Sequence, residues 1–208
     1  MKQRNTRFGL LICSTLLGLS LTISAWATDA AKLVESCISC HGKDGTSTEP
    51  DVPNIGEHSV TDLTYTMTVY RDEGRPCREA VYLTGDKKGN KTDMCQVVKE
   101  MSDSDINQVT EYFSKQKLVR TAQNFDPVLA QKGKQLHEEH CEKCHSKGGT
   151  VADDDAGILG GQKMSYLDEQ IKFVNEGKRR TPKMMKAKLK MLDKAGIDAL
   201  INYYGSFK

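Results

Sequence analysis

The apolar positions of this chain recur mainly at helical spacing and seldom alternate. In "SDSDINQVTEYFSKQ" (102–116), Ile106, Val109, Tyr112 and Phe113 fall on one face of a helix. Ser102 stands at its N-cap, and Asp105 follows at the third position on, as in a capping box. "DKAGIDALINYYGSF" (193–207) has the same design. Asp193 caps it, Ile197, Leu200, Ile201 and Tyr204 line one face, and Gly205 is expected to stop it. Two more segments carry start signals. Asp126-Pro127 opens "VLAQKGKQLHEEHCEKCH" with proline at the first helical position, and Ser165 opens "YLDEQIKFVNEG", which ends at Gly177. The nearest approach to a strand is "AVYLTG" at 80–85, and it is short. The pattern predicts an all-α protein.

The N-terminus reads differently. Lys2, Arg4 and Arg7 precede an apolar run from Phe8 to Ile23, and Ala25-Trp26-Ala27 is a small-x-small cleavage site. Residues 1–27 are therefore expected to be a signal peptide, with the mature chain exported to the periplasm. The alternative is an uncleaved anchor, since Phe8 to Ala27 could nearly span a bilayer. Otherwise membrane association is expected only through a partner. Without the signal's three basic residues, the chain's 30 basic and 28 acidic residues become 27 and 28. That balance is unlike a nucleic-acid-binding domain.

The rest is a repeat. "CISCHGKDG" (37–45) and "CEKCHSKGG" (141–149) are two copies of one motif, and each is followed by a Gly-bearing loop, "PNIGEH" (53–58) and "GILGGQ" (157–162). The spacing from His41 to Pro53 equals that from His145 to Gly157, and each half closes with one of the two matched helices. Two small helical domains follow, 28–116 and 128–208, joined by a linker at 117–127. Bundles of this size with few aromatic residues need something more at their centres.

The motifs suggest what that is. On a helix, positions i, i+3 and i+4 share a face, so Cys37, Cys40 and His41 point one way, as do Cys141, Cys144 and His145. Two thiols can then form thioethers to one porphyrin edge while the histidine reaches the iron. Cys-x-x-Cys-His is the c-type haem attachment motif. A zinc site would need four ligands close together, and a thioredoxin-like dithiol would sit in an α/β pattern. Two copies in an exported chain imply two covalently bound haem c groups, with His41 and His145 on the irons.

Methionine on the other iron face makes an electron-transfer centre. In repeat register, Met94 stands before Ile106 as Met185 stands before Ile197, at the same separation. Met94 and Met185 are the expected axial ligands, with Met184 as the rival in the second half. Met67, Met101, Met164 and Met191 read as packing residues, His137 as a surface residue of its helix, and His58 as a candidate haem-edge contact. The carbonyls of Pro53 and Gly157 are placed to accept the second N–H of His41 and His145.

The first half carries an insertion between histidine and methionine, and it holds Cys77 and Cys95. In an oxidising compartment these should form a disulfide that pins the Met94 loop. Charge is also uneven. Residues 28–125 carry 12 basic and 16 acidic groups, and residues 126–208 carry 15 and 12. Seven of the latter basics crowd into "KRRTPKMMKAKLK" (178–190), either a solvated face or a docking patch.

Taken together, these residues resemble the dihaem cytochrome c4 family over essentially the whole mature chain. Through "KQLHEEHCEKCHSKGG", "ILGGQ" and "RRTPKMMKAKL", the second half is similar to the haem subunit of flavocytochrome c sulfide dehydrogenase. The first resemblance implies two tandem cytochrome c-type domains that transfer one electron per haem. The second implies methionine ligation at Met185, haems facing each other across a pseudo-twofold interface, and a flavoprotein partner that oxidises sulfide. The expected function is either a free carrier between a membrane donor and a terminal oxidase or reductase, or the haem subunit of a flavin-dependent sulfide dehydrogenase that accepts electrons from a flavoprotein. No side-chain catalysis is expected. A dihaem peroxidase would need an open iron face, against which a methionine candidate stands in each half.

Overall fold

The computed structural model describes residues 23–208 apart from residue 121, with side chains from residue 31 onward. The predicted signal segment thus lies outside the described residues except for its last few backbone positions. The first half contains α1 (Ile23–His41), α2 (Val60–Arg71), α3 (Met94–Lys99) and α4 (Asp103–Ser114). Strands β1 (Ala80–Val81) and β2 (Lys91–Thr92) pair antiparallel, with Ala80 opposite Thr92. The second half contains α5 (Pro127–His140), the short turn α6 (Ser146–Gly149), α7 (Met164–Asn175), α8 (Lys183–Leu189) and α9 (Lys194–Gly205). No helix among the described residues is long and apolar enough to cross a membrane.

The closing helices form as their caps dictate. Ser102 accepts the N–H of Asp105, and the Asp105 carboxylate accepts the N–H of Ser102, which satisfies two otherwise orphaned donors at the start of α4. Asp193 caps α9 through the N–H of Gly196, and Asp126 caps α5 through Val128 and Leu129. The amphipathic faces then bury. Ile106, Val109 and Phe113 of α4 join Val34, Leu63, Met67 and Val98 in one core. Leu200, Ile201 and Tyr204 of α9 join Leu167, Ile171, Val174 and Leu189 in the other. In the second half α5 packs directly on α9, and a Cβ at Gly133 would collide with the carbonyl oxygen of Ala199.

Several local expectations need correction. Gly205 does not stop α9. It is the last helical residue, Ser206 is the cap, and its missing side chain makes room for Met164. Ser165 does not open α7; the helix begins at Met164, and Ser165 Oγ donates to the Pro50 carbonyl at 2.8 Å. The helix from Pro127 ends at His140, before the second Cys-x-x-Cys-His motif rather than through it.

The halves are joined by polar contacts at buried positions. Asn54 N–H donates to Gln162 Oε1 at 3.0 Å, and Gln162 Nε2 donates to Asn54 O at 2.8 Å. Arg75, only 3 % exposed, donates to Gln170 and to the Tyr166 hydroxyl and lies over the Tyr70 ring. At the surface, Arg180 pairs with Asp72 at 2.9 Å. The predicted linker is fastened down: Arg120 donates to Gly160 O, and Gln123 bonds both Gln162 O and the N–H of Met164.

Candidate metal centres

In the first half, Cys37, Cys40 and His41 occupy the last turn of α1, so helical geometry gathers them on one face. His41 is buried, and its Nδ1 donates to the Pro53 carbonyl at 3.0 Å. A carbonyl can only accept, so the proton sits on Nδ1 and the Nε2 lone pair is left for a metal. Burial pushes the His41 pKa from 6.5 down to about 4, against the upward pull of that carbonyl. The ring is therefore neutral at pH 7, as ligation requires.

In the second half the same triad is assembled without a regular helix. Cys141 is the C-cap of α5, and its carbonyl accepts the N–H groups of both Cys144 and His145 at 3.0 Å. His145 Nδ1 donates to the Gly157 carbonyl at 3.2 Å. Burial holds the His145 pKa below its ordinary value. Both histidines thus use a carbonyl at the start of the loop that follows them, Pro53 and Gly157, as the repeat register suggests.

None of the four motif cysteines is in a disulfide, although the chain closes one elsewhere. Burial pushes the Cys37 thiol up to about 12 and also raises those of Cys40 and Cys141. Raised thiol pKa values oppose the reactive thiolate of a redox dithiol. Among the described residues, the one cluster of three metal-ligating side chains within reach of one another is Cys77, Asp93 and Cys95. Its two cysteines are bonded to each other, with Cα atoms 5.8 Å apart.

Met94 opens α3, next to that disulfide and packed against the first core. Met185 lies within α8 against the second core, and Thr181 Oγ1 donates to its Sδ at 3.2 Å. Met184 is 71 % exposed. Beside Cys37, a cavity of about 810 Å³ opens between α1, the hairpin and α3, with Leu33, Val97 and Met101 among its walls. Neutral histidines with a free Nε2, paired thiols beside each and a thioether sulfur in each half fit two haem c groups.

Some functional groups were not foreseen. His137 is not a surface residue. It is fully buried, with Nε2 donating to Glu142 Oε2 at 2.7 Å and Nδ1 hydrogen-bonded to the Tyr204 hydroxyl at 3.0 Å. Glu142 Oε1 also accepts the N–H of Lys147, which takes a left-handed backbone at φ 52°. This chain of bonds ties α9 to the attachment loop. The repeat register held the signal: His137 and Tyr204 replace Leu33 and Phe113, so a polar pair stands where the first half has an apolar one. His58 bonds Asp62 at 2.8 Å, both in the first half. Met191 is 62 % exposed and is not a core residue.

Residues 27–117 match the family profile "Cytochrome c", and residues 128–203 match "Cytochrome C oxidase, cbb3-type, subunit III". A cytochrome c4 of Stutzerimonas stutzeri is 30 % identical, covering 93 % of this chain and 96 % of that one. The chain belongs to the cytochrome c4 family. A cytochrome c4 of Pseudomonas aeruginosa (strain PAO1) is 28 % identical over the same shares of both chains. The crystal structure of reduced recombinant cytochrome c4 from Pseudomonas stutzeri superposes with a TM-score of 0.68 at 25 % identity, covering 88 % of this chain and 98 % of that one. The fold also occurs within thiosulfate dehydrogenase (TsdBA) from Marichromatium purpuratum, with a TM-score of 0.67 at 22 % identity, covering 86 % of this chain and 40 % of that one. As a cytochrome c4 homologue the protein has two cytochrome c domains and two covalently bound haem c groups, and its role is electron transfer.

Proposed function

We propose that this cytochrome c4 homologue is an exported, periplasmic carrier whose two irons are each held by histidine and methionine. Cys37 and Cys40 anchor the first haem and Cys141 and Cys144 the second. His41 with Met94, and His145 with Met185, would bind the irons. When bound, each haem takes up and releases one electron at its iron. The protein's part is to orient and shield. Pro53 and Gly157 fix the histidine rings, Thr181 steadies the Met185 sulfur, and the Cys77–Cys95 bridge braces the Met94 loop. The domains are taken as 28–116 and 128–208.

The observation that carries this reading is where the two histidine-orienting loops lie. Asn54, next to Pro53, is hydrogen-bonded to Gln162 of the loop that contains Gly157. Asp62 of the first half approaches Gly157 itself, at 3.8 Å from where a Cβ would stand. The two ligand loops therefore meet at the junction of the halves, where a short internal route between centres is wanted.

The partners proposed are redox proteins: a membrane donor and a terminal oxidase or reductase. A second reading, the haem subunit of a flavin-dependent sulfide dehydrogenase, rests on the second-half motifs around Met185. Mild isolation of the tagged protein from its host, followed by an absorbance spectrum, separates the two. Two haems and no flavin support the carrier. Co-purifying flavin supports the subunit, with sulfide as the first substrate to test.

A further inference from the structure

The two attachment sites differ in how their cysteine edges meet solvent. In the first half the extra segment folds back over α1. Ser39 is 4 % exposed, and its hydroxyl both accepts the N–H of Thr84 and donates to the Thr84 carbonyl, each at 3.0 Å. Cys40, half-buried, has its Sγ 3.7 Å from the Val81 carbonyl, and Tyr82 of the same hairpin is buried. The β1–β2 ladder and the Cys77–Cys95 bridge hold this flap from both ends. Residues 79–93 are balanced in charge, with Lys87, Lys88 and Lys91 against Glu79, Asp86 and Asp93.

The second half has no such flap. Cys144 and Lys143 are exposed. Helix α8 packs beside the second attachment site, with its Leu189 and Met185 in the same hydrophobic cluster as Cys141. The segment 178–190 has seven basic residues and no acidic one. Among the described residues, Lys183, Lys186, Lys188 and Lys190 pair with no carboxylate, while Lys178 and Arg180 do. Exposed Met184 and Met191 give this basic surface an apolar centre and edge.

We infer that the protein has a built-in polarity: the flap beside Cys40 partly covers the first site's cysteine edge while that of the second is open at Cys144, and external exchange runs through the α8 surface of the second site with an acidic-faced redox protein. The inference rests on the dihaem reading above. In each encounter the partner's redox centre loses one electron and this protein gains one, or the reverse. The unpaired lysines would steer an acidic face towards the second site, and Met184 would seat against an apolar patch at its centre. The balanced hairpin offers no comparable attraction.

The test uses the reduced holoprotein, wild type and two charge-reversal variants, Lys188→Glu/Lys190→Glu and Lys87→Glu/Lys88→Glu. Hexacyanochromate(III), a redox-inert paramagnetic anion, should broaden backbone amide signals at Lys143 and 183–190 and spare 80–92. Oxidation is then followed with hexacyanoferrate(III), an anion, and tris(phenanthroline)cobalt(III), a cation. The anion-to-cation rate ratio should fall about threefold or more in the α8 variant and stay near wild type in the hairpin variant, as a local field requires. An unchanged ratio in the α8 variant, or broadening centred on the hairpin, would overturn the polarity. Cosedimentation of wild type, but not of the α8 variant, with phosphatidylglycerol vesicles would assign the patch to a lipid surface and overturn the protein partner. Fewer than two haems with methionine-ligated spectra in the wild type would instead overturn the dihaem ligand assignment, and that is read before any oxidant is added.

Discussion

Asn54 and Gln162, from opposite halves of the chain, exchange two hydrogen bonds through the Asn54 backbone and the Gln162 side-chain amide. Both residues are nearly inaccessible to water, at 1 % and 3 %. Asn54 follows the carbonyl that orients His41, so one glutamine side chain supports the histidine loop of the other half.

Replacing Gln162 with leucine should therefore cost more than a surface change. It removes the side-chain partner of two N–H groups, those of Asn54 and Lys163, and of the buried Asn54 carbonyl, at roughly 1–3 kcal/mol for each group left unsatisfied. Denaturant unfolding of Q162L should show a lower midpoint, with both haems still attached. A midpoint within error of wild type would mean that the contact adds nothing to joining the halves.

The Cys77–Cys95 bridge spans a sequence separation of 18. Closing such a loop restricts the unfolded chain by about 3 kcal/mol on the chain-entropy account. The double variant C77S/C95S should lose stability of that order. Because Cys95 adjoins Met94, added imidazole should also bind more readily to the first haem. Titration of two thiols in the unreduced wild type would exclude the bridge altogether.

Acid should weaken the fold in a defined window. His41 has a folded pKa of about 4 against 6.5 unfolded, so between these values the unfolded chain holds a proton that the folded chain refuses. From burial of the ring alone, stability is full above pH 6.5 and falls as pH drops through the window, by roughly 3 kcal/mol for this one group. His145 shifts in the same direction, and iron on Nε2 would exclude the proton more strongly still. Unfolding curves at pH 7, 5.5 and 4.5 check the sign. Equal midpoints would show that neither histidine is buried neutral.

Local rules made much of this protein legible. Ser102, Asp126 and Asp193 each cap as their sequence contexts require, because a cap needs only neighbours along the chain. The spacing from His41 to Pro53 and from His145 to Gly157 named two carbonyl acceptors correctly, since a repeat carries its loop geometry with it. Tertiary contacts were harder to see. Gly205 has the sequence character of a helix stop, yet Met164, on a different helix, is what requires a glycine there. His137 sits on α5, and only the approach of α9 with Tyr204 buries it. The Cys141–His145 triad kept its geometry without a regular helix, because one carbonyl, that of Cys141, gathers the N–H groups of Cys144 and His145. Charge at the junction was also hidden: no periodicity marks Arg75 as a buried bridge to Tyr166 and Gln170.

The central claim is that each iron is held by one histidine and one methionine, with Met94 and Met185 supplying the sulfurs. Near-infrared magnetic circular dichroism of the oxidised protein tests it most directly, through the sulfur-to-iron charge-transfer band. The wild type should show band intensity for two haems, and Met94→Ala and Met185→Ala should each remove about half, since ligand identity at one iron sets that iron's band. Full intensity in Met185→Ala would contradict the assignment and turn attention to Met184.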